Sequence, residues 1–258
     1  MPIEFDKGPS PSMAKLLMQH PDYTPVKDLF WFNWGPLFYR GRLDKSAKIL
    51  CVASDPGPTE RIGNRALIGN AGQRVQGFLS KIGITRSYVC LNGFIYSLHP
   101  SNLSDGLRLI EDPLHTKWRN KVFEKATGPA LQAIVAFGEI AKKTVDLWTG
   151  KAAVPVFETY HPSYRYDESR LTADWNRVIT ALRAIVTKDA DGNHALPLYG
   201  NKIVETDYAP VPRRDFPFGT APFLGDESWL RVGGSGGMNS VSRPSGDDFT
   251  LTWKAPQP

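Results

Sequence analysis

Residues 48 to 187 alternate between short apolar runs and stretches with helical spacing. Ile49 to Ala53, Tyr88 to Asn92, Ala133 to Phe137 and Val154 to Thr159 read as strands, short and apolar with no consistent polar face. Between the first two, Val75, Phe78, Leu79 and Ile82 fall at i, i+3, i+4 and i+7, which predicts a helix from about Ala71. Further helices are expected around Trp118 to Leu131, over Glu139 to Trp148 with Gly150 as a stop, and around Trp175, Val178, Ile179, Leu182 and Ile185. Strands that are apolar on both faces and separated by helices imply a parallel sheet covered on both sides. The expected fold is α/β, a three-layer α/β/α sandwich with a central four-stranded parallel sheet.

The flanks read differently. Residues 1 to 47 carry Phe30, Trp31, Phe32, Trp34, Phe38 and Tyr39, a cluster too apolar for a free tail, and are expected to pack on the core unit of residues 48 to 206. Residues 207 to 258 are rich in proline and glycine yet hold Phe216, Phe218, Phe223, Trp229, Phe249 and Trp253. Disordered segments are usually poor in aromatics, so a docked arm is expected.

Composition narrows the function only a little. A formal net charge of +5 permits a nucleic-acid partner without demanding one, because a phosphate backbone rewards clustered Lys and Arg rather than a total. Cys51 and Cys90 both lie in apolar runs and read as buried thiols of a reducing compartment. The five histidines show no metal-ligand spacing, and no apolar run approaches a membrane span. The expectation is a cytoplasmic monomer with no metal, no cofactor and no membrane partner.

The chemistry-bearing residues sit just past strand ends, where an open α/β sheet forms its ligand crevice. Asp55 follows the first strand in Ala53-Ser54-Asp55-Pro56-Gly57, and the two prolines flanking Gly57 are expected to hold its carboxylate on a rigid turn. Such a carboxylate orients a water or stabilises a developing cation. Gly63 to Gln73 supplies three glycines near a helix start, without the spacing of a phosphate or dinucleotide fingerprint. Asn92 ends the second strand, and its amide both donates and accepts, as reading a nucleobase edge requires. His161 ends the fourth strand and is placed to donate to an oxygen that gains negative charge. Tyr164, Arg165 and Tyr166 follow as an aromatic and cationic tip suited to DNA.

Taken together, these segments resemble the uracil-DNA glycosylase superfamily over roughly residues 48 to 187. Ala53-Ser54-Asp55-Pro56-Gly57 looks like its first motif, and Leu67-Ile68-Gly69-Asn70-Ala71-Gly72-Gln73 is similar to the Phe-Val-Gly-x-Ala-Gly-Gln stretch of its iron–sulfur branch. Leu91-Asn92, Ala136-Phe137-Gly138-Glu139-Ile140-Ala141 and His161-Pro162-Ser163 resemble its remaining motifs, in the family's order. The resemblance implies hydrolysis of the N-glycosidic bond of a flipped-out uracil, single- or double-stranded DNA being the partner. It makes Asp55 and His161 catalytic, places Ser54, Gly57, Glu60, Leu67 and Asn92 around the base, and puts Ser163, Tyr164 and Arg165 on the loop that enters the duplex. Glu60 matches the acidic residue that excludes thymine in the iron–sulfur branch, whereas Gly57 replaces the Tyr that does so in the classical branch. Ala53 and Ser54 depart from the first motif, Leu67 replaces a stacking Phe, and the four cluster cysteines are missing, which marks a divergent, cluster-free member. Changed pocket residues keep open another deaminated or mismatched base, and the basic tip keeps open a non-catalytic damaged-DNA-binding protein.

Overall fold

A computed structural model describes residues 4–151, 153–220 and 224–225. Its centre is a sheet of five strands: β1 (Tyr39–Gly41), β2 (Ile49–Ala53), β3 (Tyr88–Asn92), β4 (Ala133–Phe137) and β5 (Val156–Thr159), in the spatial order β1-β3-β2-β4-β5. The last four are mutually parallel, as expected. The expected four-stranded parallel sheet is corrected by β1, which pairs antiparallel with β3 through Tyr39↔Leu91, Arg40↔Cys90 and Gly41↔Val89. Three residues of Tyr-Arg-Gly carry no apolar run, so periodicity gives this strand no signal.

Seven α-helices flank the sheet among the described residues: α1 (Pro11–Leu17), α2 (Pro58–Gly63), α3 (Asn70–Lys81), α4 (Leu103–Leu109), α5 (Pro113–Ala126), α6 (Glu139–Asp146) and α7 (Glu168–Ile185). Alternate residues of each strand sort onto two faces. Ile49, Cys51, Tyr88, Cys90, Val135 and Phe137 pack with Val75 and Phe78 of α3 and Trp175 and Val178 of α7. Leu50, Val52, Val89, Leu91 and Ile134 pack on the other side with Val122 and Phe123 of α5 and Val145 of α6. Helix α5 starts five residues before the periodicity suggests, because the Asp112 side chain accepts from the amides of Leu114 and His115 and Pro113 takes the first helical position. Proline at that position also turns the stretch after Asp55 into α2, with Gly57 as its N-cap, where only a non-helical turn was expected.

The flanking segments meet the sheet at its β1 edge. Tyr23, Phe30 and Trp31 are fully buried, and Tyr23 and Phe30 share a cluster with Phe94, Tyr96 and Leu98 from the chain after β3. Arg40, wholly buried, pairs with Asp215 at 3.2 Å and donates to Gln76 and the Tyr88 hydroxyl. Asp207 pairs with Lys81 of α3 at 2.9 Å, and Phe216 packs on Ile68 in a small apolar cluster. Phe218 is 84 % exposed. The expectations for Phe223, Trp229, Phe249 and Trp253 lie outside the described residues.

Candidate active site

Connections leave β2 towards the α3 side of the sheet and β4 towards the α6 side. Adjacent strands that send their chains to opposite faces open a cleft at their carboxyl ends. Four strand ends line that edge in the order Asn92, Asp55, Gly138 and His161. Neighbouring strands stand about 4.8 Å apart, so the ends of β2 and β5 are about 10 Å from each other.

The Asp55 carboxylate accepts at both oxygens. Oδ2 takes the Leu98 amide at 2.8 Å, and Oδ1 takes the Ser54 hydroxyl. Ser54 is itself held by its backbone oxygen, which accepts from Phe94 at 2.9 Å just beyond the β2–β3 ladder. The chain that presents the Leu98 amide is clamped by the aromatic N-terminal segment: Trp31 donates to the Ser97 carbonyl at 2.8 Å, His99 to the Leu29 carbonyl at 2.9 Å. Nothing in the spacing of residues points to this support, because a backbone amide has no residue identity.

Asn92 is buried, with neither its Oδ1 nor its Nδ2 bonded to any protein group. An unmade buried hydrogen bond costs about 1–3 kcal/mol, so this amide has a donor and an acceptor left to offer.

Glu60 is buried near the start of α2. Its Oε1 accepts from the amides of Ile68 at 3.0 Å and Gly69 at 3.3 Å. Burial pushes the carboxyl up, and these amides, with that of Gly57, oppose the shift. The other oxygen, Oε2, lies 2.7 Å from where a Cβ at position 57 would stand, so a side chain there would have to displace this carboxylate. Leu67 is buried with φ of +53°, a left-handed conformation costing about 1–3 kcal/mol in a non-glycine residue. Its carbonyl oxygen would lie 1.7 Å from a Cβ on residue 72, so the close approach of this loop to α3 requires Gly72.

His161 follows β5 and rests against the end of β4: a Cβ on Gly138 would be 3.1 Å from the His161 Cβ. The Ser163 amide donates to its Nδ1 at 3.1 Å. A ring nitrogen that accepts carries no proton, so the neutral imidazole has its hydrogen on Nε2. Burial pushes the ring's pKa down to about 4, which keeps it neutral at pH 7. Beyond it Ser163 and Arg165 are exposed, Tyr164 packs on Tyr160 at 4.6 Å between centroids, and Tyr166 is 94 % exposed. Arg74 of α3, not singled out by any motif, reaches the same turn and donates to the Pro162 carbonyl at 3.1 Å.

The sheet edge therefore brings together Asp55, Ser54, Asn92 and His161, and α2 with the loop before α3 adds Gly57, Glu60 and Leu67. Three of the four strand ends thus carry a carboxylate, a buried unpartnered amide and a neutral imidazole. The chain belongs to the uracil DNA glycosylase superfamily, whose family model matches residues 40–182. The match runs from β1 into α7 and takes in every strand end described above. Membership makes the protein a DNA glycosylase, a hydrolase of base excision repair.

Proposed function

We propose that the protein removes uracil from DNA, releasing the free base and leaving an abasic site without strand cleavage. The observation that carries this reading is Asn92, whose amide oxygen and nitrogen are both buried and unpartnered on the same sheet edge as Asp55 and His161. A flipped-out uracil offers the complement: N3–H for Oδ1 and the O4 acceptor for Nδ2. That pairing satisfies the orphaned atoms and turns their burial cost into selectivity.

In this mechanism the C1′–N1 bond breaks with its electron pair leaving on the base. Charge builds on uracil O2, where the Nε2–H of His161 donates; a neutral donor suits a neutral pyrimidine that becomes an anion. The sugar turns cationic, and the Asp55 carboxylate faces it and orients the water that adds to C1′; the proton this water loses passes to solvent, and the uracil anion takes one up to leave as the free base. Hydrogen bonds from Leu98 and Ser54 hold that carboxylate before substrate arrives, so little reorganisation is left for the transition state. Glu60, standing where a side chain at position 57 would go, closes the space that a thymine methyl group would need. Tyr164 and Arg165, with Ser163, meet the strand from which the base is drawn.

The test is a uracil-containing oligonucleotide, single- and double-stranded, assayed for free uracil and alkali-labile breaks. Breaks only at uracil, with thymine and hypoxanthine oligonucleotides intact, are expected. Intact uracil strands alongside cleavage of another lesion would move the reading to that base, and salt-sensitive binding with no product would replace it with a damage-recognition protein.

A further inference from the structure

The peptide between Pro162 and Ser163 faces two ways. Its N–H donates to His161 Nδ1 at 3.1 Å, and its carbonyl oxygen accepts from Arg74 Nη1 at 3.1 Å. Arg74 is held on its other sides. Its Nε donates to the Tyr208 hydroxyl at 2.9 Å, its Nη2 pairs with Glu168 at 3.3 Å, and its guanidinium lies 5.5 Å from the Tyr208 ring centroid. Three acceptors from three parts of the chain, the turn after β5, the first residue of α7 and the segment after residue 206, thus converge on one side chain that is 16 % exposed.

We propose that Arg74 is a positioning residue for His161, acting through this single peptide to keep the imidazole proton on Nε2. The inference rests on His161 being the donor to the leaving base. A peptide unit is planar, so fixing its carbonyl fixes the direction of its N–H. The guanidinium also draws electron density through the amide and makes the N–H a stronger donor to Nδ1. Without Arg74 the turn keeps its bond from the Tyr164 amide to the His161 carbonyl at 2.8 Å, but its central peptide, between Pro162 and Ser163, is free to flip. Nδ1 then loses its donor and takes up the proton, and Nε2 becomes a lone pair aimed at the leaving anion. The guanidinium fork is what the geometry needs, since a lysine supplies one point of contact and leaves Tyr208 or Glu168 unserved.

The experiment reads the ring directly. Full-length protein with 15N-labelled histidine is examined by NMR at pH 7, as wild type, Arg74→Met and Arg74→Lys. Wild type is expected to show His161 as the Nε2–H tautomer alone. Arg74→Met should show a mixture, and Arg74→Lys should fall between the two, which keeps the test alive if the Met variant does not fold. Single-turnover cleavage of uracil DNA should slow about tenfold to a hundredfold in the Met variant, with substrate binding little changed. A wild-type tautomer and rate in the variants overturns the proposal. Since the tautomer is measured on the free protein, it tests the Arg74 link even if uracil is not the substrate.

Discussion

Asp55 and His161 stand on the same edge of one sheet, but they are held in place by different means. His161 is locked by its own turn: the amide that fixes its tautomer is two residues away. Asp55 is locked from afar, by the amide of Leu98, and that amide depends in turn on Trp31 and Leu29 from the start of the chain. The local lock is made within its motif and steadied by Arg74 of α3. The remote one exists only once the N-terminal segment has docked, so the acid end of the crevice answers to the N-terminal segment, whereas the imidazole end answers to α3 and the segment after residue 206 through Arg74.

The predictions run from the largest effect down. His161→Leu removes a donor aimed at the developing anion and should slow single-turnover cleavage by about 10²–10³. Asp55→Asn can keep the Leu98 bond and reverse the Ser54 one, with the amide nitrogen donating, but it loses the charge, and it should cost about 10² in the same assay. Equal, near wild-type rates in both variants would dissolve the comparison altogether. Asn92→Leu should lower cleavage about tenfold and lose discrimination between uracil and cytosine. It should also raise the thermal midpoint of the free protein, because two orphaned buried atoms are replaced by apolar ones.

The two ends should also part on acidification. The His161 pKa lies below its unfolded value, so below about pH 6.5 the unfolded chain takes up a proton that the folded one refuses. This group's contribution to stability is complete above that pH and is lost as the pH falls towards about 4. The rate should fall over the lower part of the same window, as the ring becomes doubly protonated. A His161→Leu variant should lack its share of the stability loss in acid denaturation.

At the opposite end of the sheet, Asp189 accepts from the amides of Thr85, Arg86 and Ser87 and pairs with Lys48 at 2.9 Å. Burial would raise its pKa, but these bonds hold the carboxyl well below the usual range. Asp189→Ala should lower stability by about 3 kcal/mol and leave the turnover of folded protein unchanged.

What the sequence makes legible follows from how local each feature is. β2, β3 and β4 match their expected ends because each is one short apolar run closed by a polar residue or glycine. β1 escapes, since its three residues are defined by their partner rather than by their own pattern. Asp55, Asn92 and His161 stand out because strand ends are visible in the hydrophobic pattern. The roles of Leu98 and Arg74 are invisible for opposite reasons. One acts through a backbone amide, and the other is an ordinary helix arginine until α3 is laid against the turn after β5. Glu60 is legible as a motif position, but the backbone amides that occupy its carboxylate appear only in three dimensions.

The Arg40–Asp215 pair has a practical consequence for anyone trimming this protein. A chain cut after residue 206, where the helical pattern fades and a boundary looks natural, would strand a buried guanidinium on the edge strand of the sheet with its countercharge gone. It would also strip Tyr208 from Arg74. The minimal expressible unit therefore reaches at least to Phe216, and shorter versions are expected to precipitate rather than merely turn over slowly.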